Sequence, residues 1–167
     1  SKSSPPPVPR EVLLIIATSS SIAIAWEKAL GCIVTRYEVQ YRLQHRMSVW
    51  KALYVGRKST AKLINVLHAK TFEFRVRAEG PAGWSRWSPT SSFRSLSLPP
   101  DPPREPVAGT RTWQSVEILW TPPINNGDDI VSYTVQCRRF RVDVSSPARS
   151  GIDTWRTFSD IPFDQTV

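Results

Sequence analysis

Apolar and polar positions alternate through most of this chain. In Ser-Ile-Ala-Ile-Ala-Trp (21–26), Ile22, Ile24 and Trp26 share one face. Tyr37, Val39 and Tyr41 alternate with Glu38, Gln40 and Arg42, and Phe72, Phe74 and Val76 alternate with Glu73, Arg75 and Arg77. A two-residue period sends successive side chains to opposite faces of a strand. Short runs of this kind, broken by Gly, Pro and Ser, predict antiparallel strands with one wet face per sheet. Leu13-Leu14-Ile15-Ile16 is continuous instead; with Pro9 before it and Thr18-Ser-Ser-Ser after it, a short buried strand is expected. The chain has little helical periodicity, so the expected class is all-β, a sandwich.

The pattern recurs. Ser21-Ile22-x-Ile24-x-Trp26 returns as Ser115-Val116-x-Ile118-x-Trp120. Val34-x-x-Tyr37-x-Val39-Gln40-x-Arg42 returns as Ile130-x-x-Tyr133-x-Val135-Gln136-x-Arg138, and Trp50-Lys51 has a counterpart in Trp155-Arg156. A repeat of about 95 residues predicts two tandem sandwiches. The expected domains are 1–98 and 99–167, joined through Leu-Pro-Pro-Asp-Pro-Pro-Arg-Glu-Pro (98–106), whose prolines predict a stiff, extended connector. After Trp155 no counterpart of the Phe72–Val76 strand follows. The second domain is therefore expected to be partial, a piece of a longer chain, since a sandwich without its last strands exposes half a core.

Charge separates the halves. Residues 1–98 hold 15 Lys and Arg against 5 Glu, a net of +10, whereas residues 99–167 hold 7 Arg against 9 Asp and Glu, a net of −2. The first half favours an acidic partner. Arg42, Arg46, Lys51, Arg57, Lys58 and Lys62 are the candidate contact residues, expected along one sheet edge. The candidate partners are an acidic protein surface, an anionic polymer such as heparan sulfate, or a filament. The cations are scattered and no recognition helix or single-strand platform is visible, which argues against nucleic acid. No window of 18 apolar residues occurs, so no membrane span is expected in this segment.

Catalytic chemistry has no foothold. The two histidines, His45 and His68, lie in turn-like segments. Cys32 and Cys137 fall in different halves, which predicts free thiols and no zinc site. Asn125-Asn126-Gly127-Asp128-Asp129 is a turn signal without calcium-loop spacing. No enzyme, metal or cofactor is expected. Free thiols, the lack of an Asn-x-Ser/Thr sequon and the positive charge favour a cytoplasmic, cytoskeleton-associated setting.

These residues resemble the fibronectin type III family across nearly the whole chain: a proline-flanked first strand, Trp26 and Trp120 closing a second strand, Tyr37 and Tyr133 on a third, then Leu67 and Thr71-Phe-Glu-Phe-Arg-Val-Arg-Ala78. The resemblance implies a core containing Trp26, Tyr37, Leu67, Phe72, Phe74, Trp120 and Tyr133, with the second domain covering strands A to C′ only. Phe72 stands where the family has a tyrosine whose hydroxyl bonds the backbone. Arg139–Asp153 reads as an exposed insertion.

Gly83-Trp84-Ser85-Arg86-Trp87-Ser88 places two indoles in a polar loop composition. Phe72, Phe74 and Val76 point inward, so Arg75 and Arg77 point outward, and a chain turning at Gly80–Gly83 can lay Trp84 and Trp87 over them. The expected structural ladder is Arg75, Arg77, Trp84, Arg86 and Trp87, with Arg36 or Arg42 as further rungs. The motif also resembles the WSxWS box of class I cytokine receptors. The expected function is non-enzymatic: a protein-binding and spacing module of a multidomain scaffold or structural protein. The alternative is an extracellular receptor or adhesion ectodomain.

Overall fold

The computed structural model describes residues 4–139 and 154–162, and the chain separates into a unit of residues 1–99 and a unit of residues 100–167. The expected insertion, apart from Arg139, lies outside the described residues.

In the first unit the strands are β1 (Leu13–Ala17), β2 (Ser21–Ala25), β3 (Arg36–Leu43), β4 (Lys51–Gly56), β5 (Thr60–Ile64), β6 (Thr71–Gly80), β7 (Gly83–Trp84) and β8 (Ser91–Arg94). One sheet has the order β1-β2-β5; the other runs β4-β3-β6-β7, with β8 also on β6. Every pairing is antiparallel. Strict alternation on β6 buries Phe72, Phe74, Val76 and Ala78. These meet Ile22 and Ile24 of β2, Tyr37 and Val39 of β3, and Leu63 of β5 in one core.

Trp26, only 3% exposed, anchors that core. Its ring centroid lies 5.9 Å from Tyr37, edge-on, and 6.0 Å from Tyr54, geometries that suit ring quadrupoles. The phenol oxygens reach polar partners at the rim: Tyr37 accepts from the Ala29 N–H at 3.0 Å and Tyr54 from the Lys58 N–H at 2.9 Å.

Two expectations about burial are corrected. Leu13–Ile16 does form a strand, but β1 is a sheet edge and all four side chains are exposed. The buried apolar neighbour is Val12, just before it. Leu67 is 61% exposed and does not belong to the core. Asn65, at φ 56°, takes the left-handed conformation and turns the chain after β5, ahead of Leu67.

The second unit contains β9 (Val107–Arg111) paired with β10 (Val116–Leu119), and β11 (Ser132–Cys137) paired with β12 (Arg156–Pro162). Trp120 meets Tyr133 edge-on at 5.4 Å. Both are half-buried, not sealed as core residues, because two short pairs cover only part of each ring. The repeat extends to the turns. Thr18 Oγ1 accepts from the Ser21 N–H at 2.9 Å, and Thr112 Oγ1 accepts from the Ser115 N–H at 2.9 Å. Among the described residues, no helix is long and apolar enough to cross a membrane.

Candidate functional site: an arginine–tryptophan ladder

The outward face of β3 and β6 is built from cross-strand pairs. Arg36 lies opposite Glu79, Glu38 opposite Arg77, Gln40 opposite Arg75, and Arg42 opposite Glu73. Each arginine donates to the residue facing it. Arg77 Nε reaches Glu38 Oε2 at 2.8 Å, and Arg75 reaches Gln40 Oε1 through Nε at 3.1 Å and Nη2 at 2.7 Å. Arg36 and Arg42 donate to Glu79 and Glu73 through Nε. These bonds fix the guanidinium planes, so their faces are presented ready to stack.

Three tryptophans fill the gaps. Arg36 and Arg77 lie over Trp84 at 5.4 and 4.5 Å from the ring centroid. Arg77 and Arg75 lie over Trp87 at 4.4 and 4.3 Å. Arg75 and Arg42 lie over Trp50 at 4.2 and 4.5 Å. The order is therefore Arg36, Trp84, Arg77, Trp87, Arg75, Trp50, Arg42. Both suggested further rungs, Arg36 and Arg42, stand in this stack. Trp50, which precedes β4, is the rung that sequence reasoning missed. Its one signal was the Trp50/Trp155 repeat, and in the second unit Arg138 lies 4.8 Å over Trp155. Arg86 is a correction: it is exposed and joins neither neighbouring ring.

The serines explain the rest of Trp-Ser-Arg-Trp-Ser. The Ser85 and Ser88 N–H groups donate to the Ala78 and Val76 carbonyls, each at 2.8 Å. In return the Ala78 and Val76 N–H groups donate to the Ser85 and Ser88 hydroxyls, each at 3.0 Å. Three residues of the Trp84–Ser88 segment advance while two advance on β6, so a regular ladder cannot form. The hydroxyl takes the place of the missing carbonyl. The three-residue period also puts both indoles on one side and Arg86 on another. Ser88→Ala leaves the buried Val76 N–H unmet and is expected to cost about 1–3 kcal/mol, read from the urea midpoint at unchanged m-value. A loss under about 0.5 kcal/mol would refute the substitution of hydroxyl for carbonyl.

Electrostatics vary along the stack. The hydrogen bond from Arg36 holds the Glu79 carboxyl below the usual carboxylate range, against the opposing effect of burial. Burial first, then the charges of Arg42 and Arg77, push the Arg75 guanidinium down from its ordinary value; it faces neutral Gln40 and remains charged. Because the Glu79 value is depressed on folding, its contribution is complete above the unfolded carboxylate pKa of about 4.3. It is lost as pH falls through the lower folded value. Glu79→Gln is expected to flatten this part of the acid limb in urea midpoints taken from pH 6 to pH 2. An unchanged limb would count against it.

The six basic contact candidates do not form one cluster. Arg42 is committed to Trp50 and Glu73. Exposed Arg46 precedes β4 and exposed Lys51 begins it, whereas Arg57 and Lys58 follow its far end, about 20 Å away at strand rise. Lys62 lies on β5, in the other sheet.

The chain is similar to known proteins. Mouse fibronectin type-III domain-containing protein 3A is 29% identical over 100 residues, 60% of this chain and 8% of that protein. Mouse protein sidekick-1 is 34% identical over 116 residues, 64% of this chain and 5% of that protein. The chain thus spans under a tenth of these relatives' length. A solved fibronectin type-III domain of human fibronectin type III domain containing protein 3 superposes with a TM-score of 0.51 at 22% identity, over 57% of this chain and 91% of that one. The family model of the fibronectin type III domain matches residues 7–94, the stretch that holds β1 to β8 and the ladder, and the chain belongs to that family.

Proposed function

We propose that this chain is a binding and spacing segment of a larger multidomain protein, whose first unit contacts an acidic protein surface. Fibronectin type III domains are themselves non-catalytic, bind proteins and occur among other domains. The carrying observation is the balance of charge. Four ion pairs in the first unit, Arg10–Glu27, Arg36–Glu79, Arg42–Glu73 and Arg77–Glu38, engage four of its five carboxylates. Arg46, Lys51, Arg57, Lys58 and Lys62 have no ion-pair partner among the described residues and remain available.

The setting we propose is cytoplasmic, with an acidic filament as one form of the partner; Cys32 and Cys137, both exposed and unpaired, support it. The Trp-Ser-Arg-Trp-Ser ladder favours the second reading, a receptor or adhesion ectodomain. Surface labelling of intact cells with a membrane-impermeant reagent separates the two.

Retention of the full chain on immobilised poly-L-glutamate tests the charge reading. It is expected at low salt and lost near 0.5 M, where screening acts over about 4 Å. Charge reversal at Arg57 and Lys58 is expected to weaken it. Binding insensitive to both salt and reversal would overturn the proposal.

A further inference from the structure

We infer that the end of the first unit bearing the β3–β4 and β5–β6 connections is a docking groove for an acidic peptide segment with one bulky apolar anchor. This inference rests on the acidic-partner reading and gives it a place. A cavity of about 380 Å³ opens there, with Phe72 in its lining. Its size suits one or two large side chains.

Polar Tyr41, Ser48 and Asn65 share the lining with apolar side chains, several of them uncovered. Met47 is 85% exposed, Val49 68%, Ile64 61% and Leu67 61%. Isolated exposed hydrophobes are ordinary, but four around one concavity mark an interaction site. Leu67, wrongly expected in the core, has its place here. So does the bare ring of Phe72: it is buried, and it carries no hydroxyl to put a polar atom in the groove lining.

Charge decides the occupant. No Asp or Glu lines the cavity. The cations are Arg42, already held by Glu73 and Trp50, and Lys51, exposed and without an ion-pair partner among the described residues. Exposed Arg46 adjoins Met47. A second copy of this unit would bring Lys51 and Arg46 against like charges, whereas carboxylates flanking an apolar anchor complement them. The anchor fills the cavity and the flanking charges set register and on-rate.

A random twelve-residue peptide library displayed on phage, selected on the full chain, tests this. Enrichment is expected for peptides pairing a large apolar residue with Asp or Glu. The synthesised best peptide should bind at least ten-fold more weakly to Leu67→Asp, and several-fold more weakly to Lys51→Glu. Both substituted positions are exposed, and an unchanged melting profile checks the fold. Acidic peptides that bind Leu67→Asp as well as the parent chain would overturn the groove while leaving the acidic-partner reading intact. Selected peptides without acidic excess would overturn the choice of occupant. So would self-association of the parent chain that Leu67→Asp abolishes, in favour of a second copy. A library yielding nothing above background would overturn the groove itself.

Discussion

Trp26→Ala is expected to destabilise the first unit by about 3–5 kcal/mol, the largest single effect in the chain. The indole spans the space between Tyr37, Tyr54 and the buried aliphatic residues of β2. Removing it opens a cavity that these elements, held in two antiparallel sheets, cannot close. Against a total stability of about 5–15 kcal/mol for a domain, such a loss leaves the unit close to unfolding at 37 °C. Trp26→Phe separates packing from polarity. The indole N–H is buried without a hydrogen-bond partner in the described structure, so the phenyl ring forfeits area and no hydrogen bond. A cost of about 1–2 kcal/mol is expected. Urea unfolding of the full chain, followed by circular dichroism, reads both. A loss below about 1.5 kcal/mol for the alanine variant would show that Trp26 does not anchor the sandwich.

Trp87→Ala comes second. Trp87 separates Arg75 from Arg77, so its loss removes two cation–π contacts and returns two half-covered guanidinium groups to each other. The contacts contribute about 0.5–1 kcal/mol each, and lost apolar cover adds about 1 kcal/mol. The expected total is about 2–3 kcal/mol. Arg86→Ala, one residue away in the same motif, is expected to stay within about 0.5 kcal/mol. A double-mutant cycle between Arg77 and Trp87 should return a coupling near 1 kcal/mol. Equal losses at positions 86 and 87, or no coupling, would show that the stack is geometry without energy.

Arg75 explains why Trp87 outranks Trp84. It sits mid-stack, between two rings, with a neutral amide as its cross-strand partner. The indole faces there are the main compensation for its partial burial. At the end of the stack Arg36 has Glu79 and a single, more distant ring, so the same deletion at Trp84 exposes a charge that already has a counter-ion.

Periodicity was enough to place the inner strands and their buried faces. Phe74 and Val76 alternate with charged residues, Ile22 and Ile24 with small ones, and all four are fully buried. Two-residue alternation is a property of the strand itself, independent of what lies across from it. The same parity put Arg75 and Arg77 on the outer face. Tertiary structure decided what meets there. Trp50 arrives from a connection thirty-odd positions upstream of Trp84 and Trp87 in the sequence, and no local pattern signals a contact that only the β4-β3-β6-β7 order creates. Arg86 was placed in the stack for its position between the two tryptophans, but the three-residue step of that segment turns it away from both rings. Leu13–Ile16 and Leu67 were misjudged for a related reason. An apolar residue announces a preference for burial, but whether an edge or a turn has anything packed over it depends on distant chain. Local sequence determines which way a side chain points; the assembled sheets determine what, if anything, is there to receive it.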